Sequence, residues 1–287
     1  MQDDPEVQHA LGMYQLGLPR SPSAGRSGEL LGRGTGSSLE FQEYRQYSPG
    51  DDVRHIDWAA YARSDALMVR LYRDEISPRT EILLDVSRSM ATGGETKARL
   101  ATKLAGLLAL LCSQAGGRPQ IFPLGDDAQS PIGSQNLPLL TKLPFTGTAT
   151  LSELLLTNRI RLKRQSVRIV ISDFLYPHDP AALIRLLASD ASALWVLQVL
   201  SAWEADPSDS ATAGGRRLID VETGVEAEMV LDRQSIEAYR TRLRTVQEEL
   251  LRNCRRVNGV FTTLIADKGL TSLCRHELSQ TGVLRVA

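Results

Sequence analysis

The chain has 287 residues, enough for one large α/β domain with a smaller element appended. Its 42% apolar and 23% charged residues are ordinary for a soluble globular protein. With 33 basic and 34 acidic side chains the formal charge is −1, so there is no global basic field to meet phosphates and nucleic-acid binding is not expected.

The N-terminus opens acidic and lacks the positive-then-apolar order of a signal peptide. The longest strongly apolar run, Leu104 to Cys112, is far shorter than the about 20 residues of a spanning helix. A cytoplasmic chain without a membrane span is expected. Residues 1–38 read as a short helix followed by a loop, because Pro19, Pro22, Gly25 and Gly28 crowd together ahead of Gly32, Gly34 and Gly36. Residues 39–78 read as a small β-rich element in which Tyr44, Tyr47, Trp58, Tyr61 and Tyr72 alternate with arginines, with a strand at Leu67–Tyr72. No internal repeat interrupts the chain.

Residues 79–287 alternate between short apolar runs and helical patterns. Ile82–Val86 suits a strand buried on both faces. Leu100, Leu104, Leu107, Leu108 and Leu111 then mark one face of a helix. A strand at Ile121–Phe122, helical stretches at Leu137–Leu143 and Leu151–Thr157, and a strand at Val167–Ile171 follow. Asp179 or Pro180 opens the next helix, and Leu194–Leu200 is the next strand. Glu222-Thr223-Gly224 sits between Leu218–Val221 and Ala227–Leu231 as a hairpin turn. A long helix over about Asp232–Val257 carries Arg252, Arg255 and Arg256 in its last turns, and Asn258-Gly259 ends it. A strand at Val260–Ile265, a helix at Leu270–Leu278 and a short strand at Val283–Val286 complete the pattern. Such alternation predicts an α/β fold, a doubly wound and mostly parallel sheet of Rossmann-like kind. Cys112, Cys254 and Cys274, widely spaced among apolar neighbours, are expected to be buried free thiols.

The chemistry concentrates after the first buried strand. Asp85 is followed by Ser87 and Ser89 at alternate positions, one carboxylate and two hydroxyls from a single loop. In open α/β sheets ligands bind beyond the carboxyl ends of the strands. An all-oxygen set there suits Mg²⁺ or Mn²⁺. A bare Asp-x-Ser-x-Ser pattern arises by chance in roughly one chain in ten of this length. Its place gives it weight, because Asp173 follows a later apolar strand in the same way. Thr148 and Thr150 are both candidates for a further hydroxyl. Two carboxylates balance a divalent ion while the hydroxyls leave it electrophilic, which suits capture of an acidic side chain from a partner. The bland alternative is that these residues are ordinary helix caps.

A second constellation comprises Arg45, Asp51, Asp52, Arg54, Asp57, Trp58 and Arg63. It reads either as a partner-docking surface or as a structural network of Arg–carboxylate pairs with Trp58 as an anchor. Four histidines, His9, His55, His178 and His276, lack zinc-site spacing, and no phosphate-binding loop or nucleophile elbow is present. His178 is the one candidate base for a metal-assisted hydrolase, the rival to a binding module. A scaffold with a vestigial metal site is the third reading.

The stretch Leu39-Glu40-Phe41, Arg45, Tyr47, Pro49 to Asp52, Arg54, Ile56-Asp57-Trp58, Ala62-Arg63 and Val69-Arg70 resembles the bacterial family known as domain of unknown function 58. Leu83 to Met90, Ile171 to Phe174 and Ile219 to Gly224 are similar to it as well, so the resemblance spans about residues 25–287. It implies a von Willebrand A-like core. It also implies metal-loop roles for Asp85, Ser87, Ser89 and Asp173. Thr148-Ala149-Thr150 departs from the usual Gly-Gly-Thr, so either threonine remains a candidate. Such proteins are commonly encoded beside MoxR-type AAA+ ATPases. The resemblance therefore implies a non-enzymatic adaptor for such an ATPase or its client, in assembly or maturation of a client complex.

Overall fold

The computed structural model describes residues 4–17, 39–49, 51, 53–74, 79–92, 95–126, 130–157, 160, 162–207, 215–219, 226–230 and 232–287. They fall into two compact units, residues 1–20 with 78–287, and residues 21–77.

The chain starts inside the larger unit. Helix α1 (Pro5–Met13) is capped by Asp4, whose carboxylate accepts the N–H groups of Glu6 and Val7. Strand β1 (Tyr14–Leu16) follows. The smaller unit is built on β2 (Leu39–Gln46), α2 (Trp58–Ser64) and β3 (Met68–Asp74). Strands β2 and β3 form an antiparallel ribbon with a bulge between Phe41 and Glu43. The strand expected at Leu67–Tyr72 is therefore present, displaced by one residue at its start.

The larger unit resumes with β4 (Thr80–Asp85), α3 (Glu95–Gln114), β5 (Pro119–Leu124), β6 (Ile132–Gly133), α4 (Leu151–Leu156), β7 (Ser166–Ser172), α5 (Pro180–Ala188) and β8 (Ala191–Leu200). Then come α6 (Ala202–Ala205), β9 (Gly215–Ile219), β10 (Glu226–Val230), α7 (Arg233–Arg256), β11 (Val260–Ile265), α8 (Leu270–Leu273) and β12 (Leu284–Val286). Six strands make the central sheet in the order β11-β8-β7-β4-β5-β6, with only the edge strand β6 antiparallel. The doubly wound α/β class expected from the sequence is the one observed. The order reverses beside β4, which is where such sheets open a crevice at their carboxyl ends.

Alternation along each strand feeds two cores. Ile82 and Leu84 face α3, through Leu104, Leu107, Leu108 and Leu111, in one cluster. Leu83 and Val170 face the other way, toward Leu183 and Leu187 of α5 and Leu250 and Cys254 of α7. Both faces of β4 and β7 are thus covered, and every residue of these two strands is buried. That is why Ile82–Leu84 and Ile169–Ile171 read as continuous apolar runs.

Two segments differ from the sequence pattern. Ser134–Lys142, where a helix was expected from Leu137, is a 3-10 segment kinked at Asn136. Pro138 lies inside it and cannot donate the helical hydrogen bond. The helix expected over Leu270–Leu278 is a short α-helix that widens into a π turn at Cys274–Leu278. The last strand, β12, pairs antiparallel with β1 and not with the central sheet. The hairpin of β9 and β10 is antiparallel as expected, its turn lying outside the described residues. Cys112, Cys254 and Cys274 are buried free thiols. Among the described residues no helix is long and apolar enough to cross a membrane.

Candidate metal centre

Asp85 is the last residue of β4, and its side chain is held on both sides. Oδ1 accepts the Ser87 N–H at 2.8 Å, closing an Asx turn, and Oδ2 accepts the Ser172 hydroxyl at 2.6 Å. Ser172 ends the neighbouring strand β7, so the contact ties the two strand ends together. Ser87 stays extended and caps a 3-10 turn at Arg88–Ala91, which turns the Ser89 hydroxyl back to 2.9 Å from that of Ser87.

The next loop is zipped onto this one. The Arg88 N–H donates to the Gly147 carbonyl at 2.9 Å, and the Gly147 N–H donates to the Val86 carbonyl at 3.1 Å. The approach is close enough to favour glycine, because a Cβ at Gly147 would lie a tight 3.2 Å from the Gly125 Cα and 3.3 Å from the Val86 carbonyl oxygen. Thr148 follows directly, and its hydroxyl donates to Asp126 at 3.1 Å. The Thr148 and Ala149 N–H groups also bind Asp126, and they hold its carboxyl below the ordinary range. Thr150 is used differently. It is the N-cap of α4 in a reciprocal capping box with Glu153. Of the two threonines, Thr148 is the one adjacent to the zipped contact.

Asp173 follows β7 and is fully buried. Its Oδ1 accepts the Leu175 N–H at 3.1 Å, and its backbone carbonyl accepts Gln198 Nε2 at 2.8 Å. Phe174, next in the chain, takes the left-handed conformation at φ 54°, a strained backbone immediately beside the site. The structure therefore gathers Asp85, Ser87, Ser89 and Asp173 beyond the carboxyl ends of β4 and β7. Burial, with the Asp173 charge added, raises the Asp85 pKa from 3.8 to about 6.

Three polar neighbours escaped the sequence reading. Lys97, in the first turn of α3, is wholly buried, and its ammonium donates to Asp173 Oδ2 and Glu204 Oε1, each at 2.7 Å, and to the Ser89 carbonyl at 3.0 Å. Glu204 is in turn part of a capping box with Ser201 at the start of α6. Thr92 donates to the Ser89 carbonyl and, at 3.2 Å, to Glu204. A signal for Lys97 exists in the sequence, since it lies three, four and seven residues before Leu100, Ala101 and Leu104 on the buried face. The Ser201-to-Glu204 spacing is likewise a readable cap.

The donor set can be compared with what a small hard cation requires. Neighbouring ligands of an octahedral ion with bonds of about 2.0–2.1 Å lie about 2.9 Å apart. The Ser87 and Ser89 oxygens have that separation. Among the described residues no three His, Cys, Asp or Glu side chains form a metal-ligand group. His178 offers little chemistry to the site. Its Nδ1 bonds to the Tyr176 carbonyl at 2.7 Å, its Nε2 is buried without a partner among the described residues, and its ring lies against Tyr176 and Phe174.

In the smaller unit Arg45 pairs with Asp51 at 2.6 Å. Asp57 caps α2 and accepts the Tyr44 hydroxyl at 2.9 Å. Trp58 is 63% exposed and meets Tyr61 edge-on at 6.3 Å. Arg54 and Arg63 are exposed, and Asp52 lies outside the described residues.

Fold and site together define a doubly wound α/β protein that presents two carboxylates and a hydroxyl loop at its topological switch point. The chain belongs to the family described as protein of unknown function DUF58, whose model matches residues 43–249. It is 28% identical over 243 residues to the uncharacterised protein Rv1480 of Mycobacterium tuberculosis, covering 80% of this chain and 75% of that one. The uncharacterised protein Mb1516 of Mycobacterium bovis matches to the same extent. Among solved structures, the SpRpn10 VWA domain aligns with 68% of this chain and 92% of its own at 13% identity and a TM-score of 0.37. Proximal thread matrix protein 1 from the mussel byssus aligns with 73% of this chain and 47% of its own at 12% identity and a TM-score of 0.39.

Proposed function

We propose that this chain is a protein-binding adaptor, not an enzyme, that engages an acidic side chain of its partner through Mg²⁺ or Mn²⁺ at the carboxyl end of its sheet. Asp85, Ser87, Ser89, Thr148 and Asp173 would hold the ion. Bound there, the ion supplies an electrophilic position that a carboxylate from outside can complete.

The observation that carries this reading is the convergence of Asp85 and Asp173 on adjacent strand ends, with the two serine hydroxyls 2.9 Å apart in the same loop. The rim suits a protein partner. Leu175, two residues after Asp173, is 38% exposed, and Trp203, beside Glu204, is 48% exposed. Exposed aromatic and aliphatic groups around a polar centre are the usual anchors of protein interfaces. Catalysis is disfavoured because the one candidate base, His178, has one ring nitrogen on a backbone carbonyl and the other buried. By family resemblance, a MoxR-type AAA+ ATPase or its client is the first partner to test.

The test is a pull-down with and without chelator, comparing wild type with Asp85→Ala. Capture that requires the divalent ion and is lost in the variant supports the proposal. Capture of equal strength in chelator sinks it.

A further inference from the structure

Lys97 stands where a sequence pattern for a metal loop has no place for a cation. Burying an ammonium costs several kcal/mol unless it is paired and fully hydrogen-bonded. Lys97 meets both conditions. It has three N–H donors and three acceptors, Asp173 Oδ2, Glu204 Oε1 and the Ser89 carbonyl. Two of these partners belong to the candidate centre itself. Asp173 is one of its two carboxylates, and Ser89 contributes one of its hydroxyls. The third, Glu204, is fixed independently, since its Oε2 accepts the Ser201 N–H at 2.8 Å and the Ser201 hydroxyl at 3.0 Å.

We infer that Lys97 is a resident cation of the centre, whose ammonium and an incoming divalent ion draw on the same Asp173 carboxylate, so that Lys97 sets the site's cation affinity. This rests on reading Asp85, Ser87 and Ser89 as the ligand loop. Asp85, Asp173 and Glu204 carry three formal negative charges against one positive charge on Lys97. The surplus of two is what a divalent ion would balance. Lys97 keeps one Asp173 oxygen occupied, and the Leu175 N–H keeps the other. Asp85 is then the carboxylate that no cation among the described residues neutralises. Glu204 limits the competition by taking a share of the ammonium, so its role opposes that of Lys97.

These opposed roles give the test its sign. The double variant K97M/E204Q removes one positive and one negative charge, keeps the surplus at two, and frees Asp173 Oδ2. The single variant E204Q leaves Asp173 as the one carboxylate bonded to the ammonium, beside the Ser89 carbonyl, and lowers the surplus to one. Mn²⁺ affinity is read by titration calorimetry on the full chain, with folding checked by near-ultraviolet circular dichroism. The expected result is tighter Mn²⁺ binding in K97M/E204Q by about tenfold or more, the scale of one charge-assisted hydrogen bond, and weaker binding in E204Q. A purely structural lysine would not produce opposite signs. A folded K97M/E204Q that binds no tighter than wild type overturns the inference. If that variant fails to fold, E204Q decides alone, and affinity equal to or above wild type overturns it. Binding by K97M/E204Q but not by wild type sustains the role of Lys97 while removing the metal-dependent reading of the native protein. No binding by any of the three overturns both.

Discussion

The Lys97 ammonium donates to the Asp173 carboxylate at 2.7 Å, and neither side chain is exposed to solvent. The pair joins the first turn of α3 to the end of β7, two elements 76 residues apart in the chain. It changes what the two aspartates of the centre are. Asp173 already has a cation, whereas the partners of Asp85 are neutral, the Ser87 N–H and hydroxyl and the Ser172 hydroxyl.

Asp85→Asn separates charge from shape. Asparagine keeps an acceptor for the Ser87 N–H and removes the charge that sits beside Asp173. The variant is expected to remain folded and to lose Mn²⁺ affinity by more than about tenfold, as loss of a ligand must at least match loss of a supporting group. Calorimetric titration checks this. Affinity within error of wild type would remove Asp85 from the ligand set.

The same residue gives a pH dependence with a definite sign. The folded pKa of Asp85, about 6, lies above its ordinary 3.8 because of burial and then the nearby Asp173 charge. The folded state therefore keeps a proton that the unfolded state releases between these values. Its contribution to the stability of the metal-free chain is greatest at the acidic side of that window and falls as pH rises through it. Denaturant midpoints at about pH 5 and about pH 8 should show wild type losing ground to Asp85→Asn on going to the higher value. A wild-type-minus-variant difference that does not change with pH would contradict the shift.

Gly147→Ala places a methyl group against backbone on two sides, at 3.2 Å from the Gly125 Cα and 3.3 Å from the Val86 oxygen. Neither neighbour is a flexible side chain, so the loop itself must move. A loss of about 1–3 kcal/mol in chemical denaturation is expected, together with weaker cation binding as Thr148 shifts. Unchanged stability would mean the two loops are not clamped as described.

Arg168→Met acts at the opposite end of the sheet. Arg168 is 2% exposed, lies 3.4 Å from buried Glu81, and donates to the carbonyls of Leu187, Ser189 and Lys163. Removing it takes away the cation beside the buried Glu81 carboxylate, which keeps only the Lys163 N–H and the Ser166 hydroxyl among the described residues, so a loss of about 3–5 kcal/mol is expected. Mn²⁺ affinity of the folded fraction should stay as in wild type, which makes this variant a control for stability effects alone.

Trp58→Ala tests the second constellation. The ring is 63% exposed, so its removal should leave stability within about 0.5 kcal/mol. If the Arg45–Trp58 stretch docks a partner, capture should fall by about tenfold, the scale of an interface anchor. Undiminished capture would leave the stretch a structural role.

Much of this protein was legible along the chain because the information is local. Strands β4 and β7 are buried on both faces, so Ile82–Leu84 and Ile169–Ile171 form short apolar runs, and each run is followed within two residues by an aspartate. The Asp85, Ser87 and Ser89 spacing lies within five residues, and backbone turns alone bring the hydroxyls together. Local pattern erred where one residue changed the helix type, as Pro138 did inside Ser134–Lys142. It did not show which of Thr148 and Thr150 lies beside the first loop, because that depends on Gly147 meeting Val86 across a gap of some sixty residues.

Partnership at long range was decided only by the tertiary structure. Lys97 could be placed on a buried helix face by periodicity, and Glu204 in a capping box by spacing. That one neutralises the other across 107 residues, with Asp173 between them, follows from the packing of α3 over the carboxyl ends of β4, β7 and β8. A buried charge must find its counter-charge wherever the fold brings one, and no local pattern records where that is.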